Sequence, residues 1–153
     1  MMYKRSFDSP VGMLTVYADE KAITAIHFAD DGGNDQTPLL LAAERQLGEY
    51  FAGRRREFDL PLSPQGTEFQ LKVWNALRKI PYGSTVSYKA IAKAVGNERA
   101  CRAVGAANNR NSIPIIIPCH RVIGADGSLV GYADGLSIKQ TLLAIENNAA
   151  HGE

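Results

Sequence analysis

Cysteine is scarce in this chain: 153 residues contain two, Cys101 and Cys119. Two thiols cannot build a disulfide framework. Nor do they stand at a metal-ligand spacing from His27, His120 or His151, so no metal site is expected. A reduced compartment is the simplest reading. Long apolar runs are missing too, none nearing the ~20 residues of a membrane helix. The opening MMYKRSFDSP has no apolar signal core. These absences lead us to expect a soluble protein of the cytoplasm (or the nucleus, if the source has one) with no membrane partner. No repeat or low-complexity segment is visible. Charge of one sign is not in excess either, the net being +1.

What is present is an ordinary globular composition, 45% apolar and 22% charged. The charge is unevenly placed. Residues 1–63 hold 7 Lys/Arg and 10 Asp/Glu, a net −3, and residues 64–153 hold 10 and 6, a net +4. The asymmetry hints at a polyanion partner for the second half. The run Arg54-Arg55-Arg56 lies in the first half and reads as a solvated edge.

Residues 3–8, 13–18 and 22–28 are short β-rich runs, the first two separated by Pro10 and Gly12, as in a hairpin or meander. Leu40, Ala43, Leu47, Tyr50 and Phe51 recur at helical spacing, which predicts an amphipathic helix over 39–52 ended near Gly53. Residues 57–61 suit one more strand. PLSPQGT then breaks the pattern. The expected fold is α+β, with a small strand-rich α/β domain over 1–62 and a mainly helical domain over 63–153. In the second, Thr67 and Gln70 form a capping box for a helix to about Lys79. PYGS is a turn. Ser87 caps a helix from Tyr88 to Val95, and Asn97 caps another from Glu98 to about Asn108. Residues 115–118 read as a strand and DGS at 126–128 as a turn. Ser137 and Gln140 make a second capping box for a helix running through Glu146.

The helices at 88–95 and 98–108 have helix-turn-helix proportions, which many non-binding hairpins share. The second is unusual. ERACRAVGAAN is nearly all small residues, with Arg99 and Arg102 projecting. An ordinary helix is ~10–12 Å wide, too broad for a minor groove ~6 Å across. A face of alanine and glycine could come closer. Equally, such residues allow two helices to pack tightly, and both uses fit on different faces.

The stretch IPIIIPCHRVIG ends an apolar run in Cys119, His120 and Arg121. A cysteine attacks as its thiolate, and a free thiol with pKa ~8.5 is mostly protonated at neutral pH. His120 can take that proton, directly or through a water, if the chain bends at Pro118. A carboxylate behind the imidazole would fix its tautomer. Glu146, four residues after Leu142 on the last helix, is the best-placed candidate. A phosphatase would want arginine six positions past the cysteine, where Ala125 stands. A redox pair would want a second cysteine nearby. A papain-like protease places its histidine far off in sequence. A buried cysteine beside a surface His-Arg pair remains an alternative at this point.

PCHR within IPIIIPCHRVIGADGSLVGYADGL resembles the active-site signature of the O6-alkylguanine-DNA alkyltransferases, the methylated-DNA–protein-cysteine S-methyltransferases. FQLKVWNALRKIPYGSTVSYKAIAKAVG and ACRAVGAAN match in the same order, so the likeness spans about residues 67–146. The resemblance implies repair of duplex DNA containing O6-alkylguanine, with O4-alkylthymine left open as a second lesion. The base is flipped through the minor groove and its alkyl group passes irreversibly to the protein, once per chain and without a cofactor. It further implies that Cys119 is the acceptor, His120 the base acting through water, Glu146 its orienting carboxylate and Asn111 a support for that network. By the same resemblance Tyr88 would help turn the nucleotide and protonate the leaving guanine. Arg102 would be the finger replacing the flipped base, flanked by Arg99, Ala103, Ala106 and Ala107 on the DNA-facing helix. Pro114, Arg121, Val122, Tyr132 and Ala133 would line the base pocket. The state expected is a monomer in solution, with cooperative assembly on DNA left open. Three positions depart from the pattern: Asp134 where glycine is common, Ala133 without a hydroxyl, and Cys101 where alanine is usual. Zinc ligands found in the first domain of some relatives are not apparent. A non-enzymatic binder of alkylated DNA would lack the acceptor cysteine, and a methylation-sensing regulator would need a further domain.

Overall fold

Three strands open the chain: β1 (Tyr3–Phe7), β2 (Leu14–Ala18) and β3 (Ile23–His27). They pair antiparallel in the order β1-β2-β3, with Phe7 opposite Leu14 and Val16 opposite Ile26. The computed structural model describes residues 1–129, 132 and 135–151. Leu14, Val16 and Ala18 alternate toward one face, as a pleated strand requires. Against them lies α1 (Pro38–Phe51), capped by Thr37 and burying Leu40, Ala43, Leu47 and Tyr50. Gly53 ends it at φ 74°, the left-handed conformation that glycine adopts without cost.

No strand forms at 57–61. Both backbone groups of Asp59 are held by the side chain of Gln46, Nε2 donating to O at 3.1 Å and Oε1 accepting from N at 2.9 Å. The segment meets the sheet only through an isolated parallel bridge between Ile23 and Leu62.

The second half is mainly helical. The capping box of Thr67 and Gln70 opens α2 (Glu68–Leu77). Ser87 caps α3 (Tyr88–Ala94), and Gly96 turns the chain at φ 87°. The next helix, α4 (Cys101–Asn109), starts three residues later than its spacing predicts. Asn97 is the cause: its Oδ1 takes the amide of Arg99 at 3.1 Å and its carbonyl takes that of Ala100 at 3.0 Å. This turn uses up the residues that would have been the first helical turn, and it leaves Arg99 outside the helix. Trp74 anchors α4 from α2, its Nε1 donating to Ala107 O at 2.8 Å.

Residues 115–118 are not a strand either. Pro114 and Pro118 lack the amides a ladder needs, and Ile113–Ile117 closes instead as a turn, Ile117 N donating to Ile113 O at 3.0 Å. Ile115 sits at φ 73°, a strained value for a β-branched residue. Cys119–Arg121 follows as one 3₁₀ turn. Then β5 (Val122–Ile123) pairs in parallel with β4 (Val86–Ser87). Gly127 at φ 86° marks the DGS turn. The last helix, α5 (Leu136–His151), already includes Ser137, so that residue is not its cap. Hydrogen bonds join the halves: Ile26 N to Ser112 O at 2.9 Å, and Tyr50 Oη to Glu146 Oε2 at 2.6 Å.

Candidate active site

The 3₁₀ turn supplies the bend that a strand would have denied. In an extended chain Cys119 and His120 would point to opposite faces; here both are buried in one turn, with Cys119 keeping 4% of its surface exposed and His120 none. Pairing of β4 with β5 fixes this turn against the start of α3, because Ser87 is both a strand residue and the cap of the helix that Tyr88 begins.

Four donors converge on the carboxylate of Glu146. His120 Nε2 lies 2.5 Å from Oε2, and Tyr50 Oη donates to the same oxygen at 2.6 Å. Arg121 donates through Nε to Oε1 at 2.8 Å and through Nη2 to Oε2 at 3.1 Å. Burial alone would raise the Glu146 pKa, but the hydrogen bonds and charges of His120 and Arg121 outweigh it and hold the group at about 2. Burial moves His120 the other way, below its ordinary value, with Glu146 opposing. The pair therefore rests as carboxylate and neutral imidazole. With Nε2 donating to Glu146, Nδ1 carries the basic lone pair, and this atom is buried without a hydrogen-bond partner among the described residues.

Tyr88 is held protonated, first by burial and then by the charge of Cys119. Lys139 is fully buried and donates to Val122 O at 2.6 Å. Its pKa is lowered by desolvation and pulled back up by Cys119. Asn111 does not reach the imidazole. Its Nδ2 donates to Ile117 O at 2.7 Å and its Oδ1 accepts from Ile113 N at 3.0 Å, so it braces the turn that carries Cys119. Asn108 donates to the carbonyl of Cys119 itself at 3.3 Å.

The other expected positions divide. Arg99, Arg102, Ala103 and Ala106 are exposed, but Ala107 is 3% exposed and corrects the expectation that it faces DNA: it packs inward, where its carbonyl serves Trp74. Arg121 also corrects its expected place on the base-pocket wall. Beyond its bonds to Glu146, it donates to Ile80 O at 2.8 Å and lies 5.6 Å from the Tyr82 ring. Pro114, Val122 and Tyr132 are buried, the last against Phe28. Ala133, and Asp134 beside it, lie outside the described residues. Arg56 is more than a solvated edge, since it lies 5.3 Å from the same Tyr82 ring. No group of His, Cys, Asp and Glu suited to a metal occurs among the described residues.

Sequence pattern alone does not mark Tyr50, Lys139 or Asn108 as site residues. Lys139 stands three residues before Leu142 and seven before Glu146, on one helical face, and that spacing could have found it.

The family model described as 6-O-methylguanine DNA methyltransferase, DNA binding domain, matches residues 68–148, and the one described as its ribonuclease-like domain matches residues 2–64. The chain is 49% identical to a methylated-DNA–protein-cysteine methyltransferase of Methanosarcina acetivorans, over 96% of this chain and 99% of that one. It is 47% identical to the constitutive one of Bacillus subtilis, over 95% and 96%. Among solved structures, Mycobacterium tuberculosis OGT in complex with DNA superposes with a TM-score of 0.89 at 43% identity, covering 96% of this chain and 94% of that one.

Proposed function

The chain belongs to the methylated-DNA–protein-cysteine methyltransferase family, and on that premise we propose that it repairs duplex DNA by moving the alkyl group of an O6-alkylguanine onto its own Cys119. The observation that carries this reading is the buried pair of Glu146 and His120 Nε2, which leaves Nδ1 without a hydrogen-bond partner among the described residues, on the residue next to Cys119. The Sγ proton passes to Nδ1 through a water. The thiolate attacks the alkyl carbon in line, an S–C bond forms, and the C–O6 bond breaks with its electron pair remaining on guanine. Tyr88 supplies the proton that the guanine gains, and the proton left on His120 restores the balance. A thioether has no easy hydrolytic exit, so each chain acts once.

The helix pair α3–α4 is the DNA-binding element, entering the minor groove on the small exposed face of Ala103 and Ala106. Arg99 meets the backbone from its turn. Arg102 fills the stack that the flipped base vacates; a damaged, poorly paired base costs least to extrude. Pro114, Val122 and Tyr132 belong to the pocket that receives it. Asn111 and Asn108 are positioning residues for the nucleophile's turn. The chain acts as a monomer with domains at 1–62 and 63–153, in the cytoplasm; among the described residues no helix is long and apolar enough to cross a membrane.

Transfer stoichiometry tests this. With a duplex carrying O6-methylguanine in excess, the unaltered protein is expected to restore one guanine per chain within the duplex and then stop, while Cys119→Ser binds the duplex and restores none. Continued turnover, or transfer by Cys119→Ser, would overturn the reading.

A further inference from the structure

Tyr50 belongs to the half of the molecule whose sequence shows no catalytic constellation, yet its hydroxyl ends on Glu146 Oε2, the oxygen His120 Nε2 also meets. The residue is 0% exposed. Its ring is packed by Phe51 at 5.4 Å, Phe58 at 5.6 Å and Tyr82 at 6.3 Å. Packing alone would be served as well by phenylalanine, and a buried hydroxyl is unfavourable unless it is bonded. We propose that Tyr50 is a positioning residue for alkyl transfer: by donating to Oε2 it draws off part of the carboxylate's charge and keeps the imidazole neutral, so the first half of the chain sets the working pH range of the second. The inference rests on the alkyl-transfer reading.

Among the described residues the charged and titratable groups around the pair are few. Arg121 binds Glu146 from the 3₁₀ turn, Lys139 approaches from α5, and Cys119 precedes the imidazole. Tyr82 lies beside Tyr50 with Arg56 and Arg121 near its ring. Arg121 supplies positive charge, but it cannot replace the hydroxyl at the shared oxygen. Its Nη2 bond there is 3.1 Å, against 2.6 Å for Tyr50. Loss of the Tyr50 donor leaves Oε2 more negative. The imidazolium is then favoured, and the rise of transfer rate with pH moves to higher pH. Burial, which holds His120 below its ordinary value, is unchanged by removing one oxygen.

The test is the single-turnover rate on an O6-methylguanine duplex as a function of pH. For Tyr50→Phe the rising limb is expected to move up by about one pH unit, with the alkaline plateau kept within about twofold. Phe58→Leu disturbs the same aromatic cluster without touching Glu146; it is expected to lower stability and leave the limb in place. Site-specific replacement of Tyr50 by 3-fluorotyrosine is nearly isosteric and strengthens the donor, so it moves the limb to lower pH even if Tyr50→Phe folds poorly. A limb unmoved by the fluorinated residue, or a Tyr50→Phe rate reduced equally at every pH, overturns the proposal while leaving alkyl transfer intact. No transfer by the unaltered protein at any pH overturns the function on which it rests.

Discussion

Glu146 is the residue on which most of the site's electrostatics converge. In the folded chain it titrates at about 2, against 4.5 ordinarily. The unfolded chain therefore binds more protons between these values, and folding is worth roughly 3 kcal/mol more above them than below. His120, buried and lowered, acts in the same sense from its ordinary 6.5 downward, because the unfolded imidazole takes up a proton that the folded one resists. Urea unfolding midpoints are thus expected to fall steadily from about pH 7 toward pH 2; stability that rose on acidification over this range would contradict the arrangement. The sequence made Cys119, His120 and Glu146 legible because each is chemically unusual at its place. It did not show Tyr50, because a tyrosine on the apolar face of a helix looks like core until the distant partner of its hydroxyl is known. The place of Arg121 is hidden for a related reason: its partner Glu146 is 25 residues away along the chain, beyond any local pattern.

At the scale of elements, periodicity and caps located the three-stranded sheet, α1, α2 and α3 to within a residue or two. The failures occurred where side chains or prolines displaced backbone partners. Gln46 occupies the groups that a strand at Asp59 would have used, Pro114 and Pro118 turn the apolar run into a loop, and Asn97 delays α4. The consequence for α4 is testable, because its alanines are not equivalent. Ala107→Leu places a larger side chain in a filled interior and is expected to cost about 1–3 kcal/mol in thermal unfolding. Ala106→Leu lies on the exposed face, where substitutions usually cost less than about 0.5 kcal/mol. Its expected effect is instead on duplex affinity, with a loss of about tenfold by fluorescence anisotropy as the bulkier face is kept from the groove. Equal duplex affinity for Ala106→Leu and the unaltered chain would remove this face from the DNA interface.

The molecule as a whole divides its labour unevenly, with net −3 on residues 1–63 and +4 on residues 64–153. The helix pair α3–α4 and the turn that carries Cys119 belong to the basic part, which suits contact with phosphates. The acidic part reaches the site through Tyr50 on Glu146, and Arg56 Nη2 donates to Ala149 O on α5 at 3.3 Å. Sequence pattern conveyed the two-part organisation and the chemistry of the second part, but no local spacing could report contacts that cross between them. The account stands on one sulfur as the destination of the alkyl group. Its most direct test is peptide mapping by mass spectrometry after exposure to saturating O6-methylguanine duplex. The expected result is the added mass of one methylene per chain, confined to the peptide bearing Cys119. An unmodified Cys119 peptide, or a methyl group found on Cys101 instead, would contradict it.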